Sequence, residues 1–205
     1  MSEYPTEMNS WKHSNLLDEC IGNKSKIELL ILDIDGVLTD GTKVYTQDHQ
    51  PVYKRFRCKD FTAIKRFIAA GVRVIMLSGD NWNSEMARQR NIPFYCTRGS
   101  DLGLDKSVYL AHLEATYKVK KENMAFVGDD YFDLSMFKTL FWTFAPSDAP
   151  RIIRQNCLYL LKSKGGQGVV QELYDFLVGK GIVKDATEND VAELDKKEAS
   201  SAAMK

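Results

Sequence analysis

The sequence predicts an α/β fold of three layers, with helices on both faces of a mainly parallel sheet. Three observations predict it. Apolar segments of strand length alternate with helical periodicity, the strongest of these segments are continuous apolar runs, and carboxylates follow two of them directly. A continuous apolar run is typical of a strand buried on both faces. Repeated alternation of strand and helix is typical of parallel strands joined by helical crossovers.

The elements follow in chain order. Strands are predicted at 27–34, 72–77, 94–96, 124–127, 141–144 and 157–160, and helices at 60–70, 83–90, 105–117, 131–139, 148–155 and 169–177. Asp60 is expected to cap the first helix and Gly71 to end it, because aspartate accepts hydrogen bonds from a first turn and glycine adopts the left-handed conformation that closes a helix. Val169, Leu173 and Leu177 share one face, so the last helix should pack on the sheet.

The segment 42–57 predicts a β-hairpin outside the main sheet. It is rich in Val, Tyr and Thr and is interrupted by a polar turn at 47–51. We therefore expect one domain at 26–182 that carries this hairpin, an N-terminal extension at 1–25 and a mobile C-terminal tail at 183–205, whose charged, alanine-rich sequence has little to bury.

Charge and cysteine content exclude several classes of protein. Lys plus Arg (28) balance Asp plus Glu (28), so no global field would recruit nucleic acid or an anionic membrane. The four cysteines form no close pairs of the kind that bind zinc, and we expect reduced thiols. The N-terminal residues contain no apolar stretch long enough for a signal peptide or a membrane span. The expectation is a cytoplasmic protein that binds neither nucleic acid nor membrane.

Polar residues follow three predicted strands, where doubly wound sheets bind their ligands. Asp33 and Asp35 end the first strand, Ser78 follows the second, and Asp129 follows the strand at 124–127. Two neighbouring carboxylates repel each other unless a cation compensates, and Asp129 adds a further oxygen ligand. Magnesium is therefore the predicted cofactor, because it can neutralise a substrate phosphate while Asp33 approaches phosphorus.

Each of these residues also has a structural interpretation. Aspartates after strands form turns and caps, and Asp130 and Asp133 could cap the next helix as readily as orient a metal ligand. Ser78 alone would be a turn residue, and Lys106 alone a solvated helix charge. Their order and spacing favour a catalytic interpretation. The glycines at 165–168 stay open between a bend in the chain and a part in the site.

Four motifs resemble, in this order, those of haloacid dehalogenase-type phosphatases: DIDGVLTDG at 33–41, SG at 78–79, Lys106, and GDDYFD at 128–133. Three further segments are similar to the 3-deoxy-D-manno-octulosonate 8-phosphate phosphatases, namely LTDG at 38–41, APSDA at 145–149 and GGQG at 165–168. The resemblance covers about residues 26–180. It implies a Rossmann-like haloacid dehalogenase fold whose only cap is the hairpin.

The resemblance also implies catalytic roles. Asp33 would form an aspartyl phosphate, while Asp35 protonates the leaving alkoxide and later deprotonates the attacking water. Ser78, Gly79 and Lys106 would hold the phosphoryl group.

Metal and sugar ligands are implied in the same way. Asp33, the carbonyl of Asp35 and Asp129 would bind magnesium, and Asp130 and Asp133 would orient these ligands. Lys59 and Asp60 are expected at the sugar pocket.

The chain departs from the usual family pattern near that pocket. Lys59-Asp60-Phe61 stands where relatives usually have Arg-Asp-Gly, and Asp80 replaces an arginine after Ser/Thr-Gly. Lost arginines remove bidentate contacts to a carboxylate. The substrate therefore stays open among octulosonate 8-phosphate, a nonulosonate 9-phosphate and a related sugar phosphate. The cations at 54–59 either compensate or lie on a solvated strand edge.

The expected oligomeric state also comes from the resemblance, and the catalytic function has a non-catalytic alternative. The resemblance implies a homotetramer whose hairpins close neighbouring sites, and the apolar hairpin residues would favour a partner surface. The competing function is a non-catalytic domain for oligomerisation, of the kind carried by some sugar-acid cytidylyltransferases. Retention of Asp33, Asp35, Lys106 and Asp129 argues against it.

Overall fold

A six-stranded parallel sheet forms the centre of the molecule. The computed structural model describes residues 26–203, with side chains to 196, so the extension at 1–25 lies outside the described residues. The sheet order is β5-β4-β1-β6-β7-β8. The strands are β1 (Leu29–Leu32), β4 (Arg73–Ser78), β5 (Phe94–Cys96), β6 (Met124–Val127), β7 (Trp142–Ala145) and β8 (Tyr159–Leu160). This arrangement confirms the predicted fold class.

The central strand β1 lies between β4 and β6. Leu30 pairs with Val74 on one side and with Ala125 on the other, and all four residues of β1 are buried. The chain fills the β4 side first and crosses to the β6 side afterwards. A crevice therefore forms at the carboxyl ends of β1 and β6, where the strand order reverses.

Helices cover both faces of this sheet. They are α1 (Cys58–Ala69), α2 (Ser84–Gln89), α3 (Tyr109–Tyr117), α4 (Leu134–Thr139), α5 (Arg151–Arg154), α6 (Val169–Gly179) and α7 (Glu188–Ala203). Leu30 and Leu32 join the core cluster under α1 and α6, whereas Leu29 and Ile31 join the cluster under α3, α4 and α5. Successive strand residues point to opposite faces, so a continuous apolar run serves two cores.

The predicted hairpin is present as a separate antiparallel sheet of β2 (Val44–Tyr45) and β3 (Pro51–Tyr53). Its exposed apolar side chains include Tyr45, Val52 and Tyr53, each about half accessible.

Several predicted helices begin as short 3₁₀ turns, at Asn81–Asn83, Lys106–Val108 and Tyr131–Asp133. Aspartate caps tighten these starts, because Asp80, Asp105 and Asp130 accept backbone hydrogen bonds there. The predicted helix at 148–155 shortens to Arg151–Arg154.

The C-terminal segment contains a helix that the sequence analysis did not predict. Helix α7 contacts α1, where Lys65 forms an ion pair with Asp195. The preceding segment is tied down as well, because Arg66 and the hydroxyl of Tyr174 both contact Asp185. Val183 at the start of the segment is buried in the core, and polar contacts follow it along the chain. Over the described residues, no helix is long and apolar enough to cross a membrane.

Candidate active site

A tight turn after β1 places the first motif. The N–H of Asp33 donates to the carbonyl of Val127 (2.9 Å), which ties the start of this motif to β6. Gly36 has φ +89°, and a Cβ there would lie 2.0 Å from Oδ2 of Asp129. The motif glycine is therefore required for both its left-handed conformation and the close approach of Asp129.

The glycines at 165–166 pack directly against this turn. A Cβ at Gly165 would lie 2.2 Å from the carbonyl oxygen of Gly36, and the N–H of Gly166 donates to the carbonyl of Val37 (2.9 Å). These glycines therefore support the turn after β1, which the sequence left undecided.

Three carboxylates gather in the crevice between β1 and β6. Oxygen atoms of Asp33, Asp129 and Asp133 lie within 4.8 Å of one another. The ammonium of Lys106 bridges two of them, at 2.8 Å from Oδ1 of Asp33 and 2.6 Å from Oδ1 of Asp133. Asp33, Lys106 and Asp133 are all buried. The first and last motifs and the predicted lysine thus meet, as expected.

Asp133 orients its neighbours through its second oxygen. Oδ2 of Asp133 accepts hydrogen bonds from the N–H groups of Asp129 (2.9 Å) and Asp130 (3.1 Å). The side chain of Asp130 caps the following turn, and the two aspartates form a capping box. Capping and orientation of the cluster are therefore combined in the same two residues, rather than being alternatives.

Burial and mutual repulsion perturb this cluster. Burial, opposed by Lys106 and reinforced by Asp133, raises the pKa of Asp33 to about 7. Burial and the charges of Asp33 and Asp133 raise the pKa of Asp129 to about 8. Burial would lower the pKa of Lys106, but its two carboxylate partners outweigh burial and raise it. One ammonium therefore does not offset three carboxylates.

The cluster fits a hard divalent cation. Oδ1 of Asp129 is buried without a hydrogen-bond donor among the described residues, and such an atom needs a partner. Oxygen donors within a few ångströms of one another are the ligands that Mg²⁺ prefers. Asp33 and Asp129 would hold the ion, with Asp133 adjacent.

The structure corrects one prediction, because the carboxylate of Asp35 does not join this cluster. Its Oδ2 instead accepts hydrogen bonds from Nζ of Lys54 (2.7 Å) and Nδ2 of Asn83 (3.0 Å). Only the backbone carbonyl of Asp35 stays a predicted metal ligand. A turn begins at Asp35, so the regular strand geometry ends there and the side chains of Asp33 and Asp35 meet different partners.

Ser78 and Gly79 line the same cavity, which has a volume of about 310 Å³. Oγ of Ser78 accepts hydrogen bonds from the N–H of Asp80 and from Nδ2 of Asn83, both at 3.1 Å. A hydroxyl has two acceptor sites and one donor. The donated proton of Ser78 has no acceptor among the described residues and is available to a ligand oxygen.

Sequence reasoning missed several residues of this cavity, which is also lined by Lys43, Thr97, Arg98, Leu104 and Phe132. Thr97 and Arg98 follow β5 and Lys43 precedes the hairpin, whereas Phe132 stands inside the fourth motif at a position to which no role was given. Thr97 and Arg98 could have been predicted as cavity residues, because they follow directly after strand β5 and ligands bind beyond the carboxyl ends of such strands. For Lys54 the sequence left open a compensating charge and a solvated strand edge, and its side chain is fully buried.

The predicted sugar-binding residues Lys59 and Asp60 do not line this cavity. Asp60 is fully buried, and its Oδ1 accepts hydrogen bonds from the N–H groups of Val170 (2.9 Å) and Gln171 (3.0 Å). It caps α6 rather than its own helix, because the two helices lie side by side. These contacts account for Asp60 as a helix cap, and its place at the sugar pocket stays a prediction. Lys59 is exposed on the first turn of α1, and its role stays a prediction.

Comparisons with known proteins agree with this geometry. The profile of the haloacid dehalogenase-like hydrolase family matches residues 100–173. The 3-deoxy-D-manno-octulosonate 8-phosphate phosphatase KdsC of Haemophilus influenzae is 32% identical over 174 residues, which are 79% of this chain and 90% of that protein.

Solved structures show the same relationship. The cobalt-bound form of the Haemophilus influenzae deoxy-D-mannose-octulosonate 8-phosphate phosphatase is 29% identical, with a TM-score of 0.69 over 77% of this chain and 90% of that one. The Yersinia pestis 3-deoxy-D-manno-octulosonate 8-phosphate phosphatase is 28% identical, with a TM-score of 0.71 over 83% and 91% of the two chains. With this similarity along the chain, and with its acidic crevice between β1 and β6, the chain belongs to the phosphatases of the haloacid dehalogenase-like hydrolase family.

Proposed function

We propose that this phosphatase hydrolyses the phosphomonoester of a 3-deoxy-2-ulosonic acid or a related sugar, with Mg²⁺ as its cofactor. The candidate substrates are octulosonate 8-phosphate and nonulosonate 9-phosphate. The observation that carries the proposal is the contact of buried Asp33 with Lys106, beside the unpartnered oxygen of Asp129. The relatives named above, one of them in a cobalt-bound form, support both the substrate class and a divalent ion.

In the first step, a carboxylate oxygen of Asp33 attacks phosphorus and the ester P–O bond breaks. The leaving alkoxide takes a proton from Asp35, which makes a poor leaving group feasible. Mg²⁺ supplies positive charge to the phosphate and to Asp33 when it is bound. Lys106 adds a second positive charge beside Asp33, and the free proton of Ser78 suits a phosphoryl oxygen.

In the second step, Asp35 takes a proton from water, and the water oxygen attacks phosphorus. The bond between phosphorus and Asp33 breaks, inorganic phosphate leaves, and both carboxyl groups return to their starting states. The same side chain thus serves as acid and then as base.

The ulosonate part of the proposal depends on positive charge around the cavity. Lys43 and Arg98 line it and could meet a sugar carboxylate. Asp80 lies in the same wall and is paired with Lys43, so fewer cations are free than in relatives with an arginine there. A neutral sugar phosphate therefore stays an alternative substrate.

Self-association belongs to the same proposal. Tyr45 and Tyr53 on the hairpin and Phe132 at the cavity rim are about half exposed or more. A neighbouring copy that covers these side chains would enclose the substrate, as in the homotetramer that the family resemblance implies.

The test is release of phosphate from octulosonate 8-phosphate, nonulosonate 9-phosphates and hexose 6-phosphates, with and without Mg²⁺. We expect Mg²⁺-dependent turnover, with a higher kcat/KM for an ulosonate than for a hexose. Asp33→Asn should abolish turnover on every substrate, because an amide cannot form the aspartyl phosphate. Failure of the unmodified protein on the whole panel would favour the non-catalytic oligomerisation domain.

A further inference from the structure

A buried lysine lies behind the carboxylate of Asp35. Lys54 follows β3, and its side chain has no exposed surface. Its ammonium donates to Oδ2 of Asp35 (2.7 Å), Oδ2 of Asp80 (2.9 Å) and Oδ1 of Asn83 (2.9 Å). An ammonium has three protons, so this set of acceptors can use all of them, and the nitrogen lies close to both oxygens of Asp35, at 2.5 Å from Oδ1 and 2.7 Å from Oδ2.

Asn83 links this lysine to the phosphate side of the cavity. Its carbonyl oxygen faces Lys54, so its amide nitrogen must face the other way. That nitrogen donates to Oδ2 of Asp35 (3.0 Å) and to Oγ of Ser78 (3.1 Å). Asn83 is almost fully buried. The network thereby sets the distance between the proposed acid and the serine that faces the phosphoryl group.

Asp80 connects both ends of the hairpin to this network through ion pairs. Lys43 precedes β2, Lys54 follows β3, and both form ion pairs with Oδ2 of Asp80. Burial raises the pKa of Asp80, but hydrogen bonds from Lys43 and Lys54 outweigh it and lower the pKa to about 2. Asp80 therefore keeps its negative charge, and the hairpin base stays closed against the loop after β4.

Lys54 acts on Asp35 rather than on substrate. Asp35, Lys43 and Asp80 line the cavity among the described residues, whereas the ammonium of Lys54 lies behind them. Of these groups, Asp35 is the one that the proposed reaction uses for proton transfer. Lys54 touches this residue directly, whereas it reaches Ser78 only through Asn83.

We propose that Lys54 is a positioning residue, which holds the carboxylate of Asp35 toward the leaving-group oxygen and is itself held by Asp80 and Asn83. This inference rests on the proposed function and adds the residue that orients its general acid, Asp35. An acid that is not oriented toward the leaving-group oxygen slows departure of a poor leaving group more than departure of a good one. The reason is that a good leaving group needs little proton transfer.

The test compares the full-length Lys54→Met variant with the unmodified protein, both with Mg²⁺, on two substrates. Methionine keeps the length of the side chain and removes the charge. The quantity compared is kcat/KM, which reports the first step and not the hydrolysis of the aspartyl phosphate that both substrates share. For a hexose 6-phosphate, an alkyl ester, we expect kcat/KM to fall about 100-fold, the lower end of what a positioned acid contributes. For 4-nitrophenyl phosphate, which has a good leaving group, kcat/KM should fall much less.

Two further variants are compared with Lys54→Met, one as a negative control and one as a weaker perturbation of the same network. Arg55→Met removes the neighbouring cation, whose exposed side chain pairs with Asp40 on the other side of the strand, and should leave the ratio of alkyl to aryl turnover unchanged. Asp80→Asn keeps the acceptor for Lys54 and weakens its anchor, so it should lower the same ratio less than Lys54→Met does. If Lys54→Met does not fold, the Asp80→Asn ratio decides the question.

Equal losses of kcat/KM on both substrates, or no loss on either, would overturn the positioning role while leaving the phosphatase intact. Absence of turnover by the unmodified protein on both esters would overturn the proposed function and this inference together.

Discussion

Binding of Mg²⁺ should depend steeply on pH, because the ion must displace protons from the acidic cluster. The pKa of Asp33 is about 7 and that of Asp129 about 8 without a cation. At pH 6 these values correspond to about 10-fold and about 100-fold excesses of the protonated forms. The apparent affinity for Mg²⁺ should therefore be about 1000-fold weaker at pH 6 than at pH 9.

The same shifts set the sign of the stability change. Both carboxyls have a raised pKa in the folded state, so between about pH 4 and pH 8 the folded protein binds more protons than the unfolded chain. Stability of the metal-free protein should fall as pH rises through this range. Saturating Mg²⁺ should reverse the trend, since it stabilises the ionised carboxylates; at 100 times its Kd it adds about 2.7 kcal/mol.

Calorimetric titration of MgCl₂ into the full chain at pH 6 and pH 9 measures both affinities. Repeating the pH 6 titration in buffers of different ionisation enthalpy counts the protons released, which we expect to be about two at pH 6 and close to none at pH 9. Asp129→Asn removes one titrating ligand, so it should weaken binding and release one proton fewer. A pH-independent Kd without proton release would refute the assignment of these carboxylates as the metal site.

Two other substitutions test the structural assignments. Asp60→Ala leaves the N–H groups of Val170 and Gln171 unpaired at the start of α6, so the free energy of unfolding in urea should fall by about 3 kcal/mol while the KM for sugar phosphate stays unchanged. Unchanged stability with a raised KM would instead place Asp60 at the sugar pocket. Gly36→Ala places a Cβ on Asp129 and forces this expected metal ligand to move, so the Mg²⁺ titration should show affinity reduced by about tenfold or more. The left-handed conformation, which costs about 1–2 kcal/mol for alanine, should lower the free energy of unfolding instead. Wild-type affinity in this variant would contradict the close packing of Gly36 on Asp129.

The strands and the main catalytic candidates could be predicted because their signals are local. The strands at 94–96 and 124–127 were predicted with the bounds that the structure has. Asp33 and Asp129 stand directly after buried strands, so parallel topology brings them to one edge of the sheet. Even the approximate position of the hairpin followed from its composition.

Long-range partners were beyond such reasoning. Nothing near Asp60 in the sequence indicates that it caps a helix that begins about a hundred residues later. Lys54 looks like its exposed neighbour Arg55, and only the fold places it against Asp35 and Asp80. Helix α7 was missed for a related reason, because its charged sequence shows no extended apolar face and its contacts are with α1, far away in the chain.

By itself, the sequence determined the layered α/β architecture, the catalytic edge of the sheet and the family of phosphatases to which the chain is related. Local patterns suffice for these, because hydrophobic periodicity and residues at strand ends act over a few positions. Only the tertiary structure decided which carboxylates share the acidic crevice and which one turns to Lys54. Those choices depend on side-chain direction and on residues distant in the chain, whose charges meet only after burial has removed the water that would screen them.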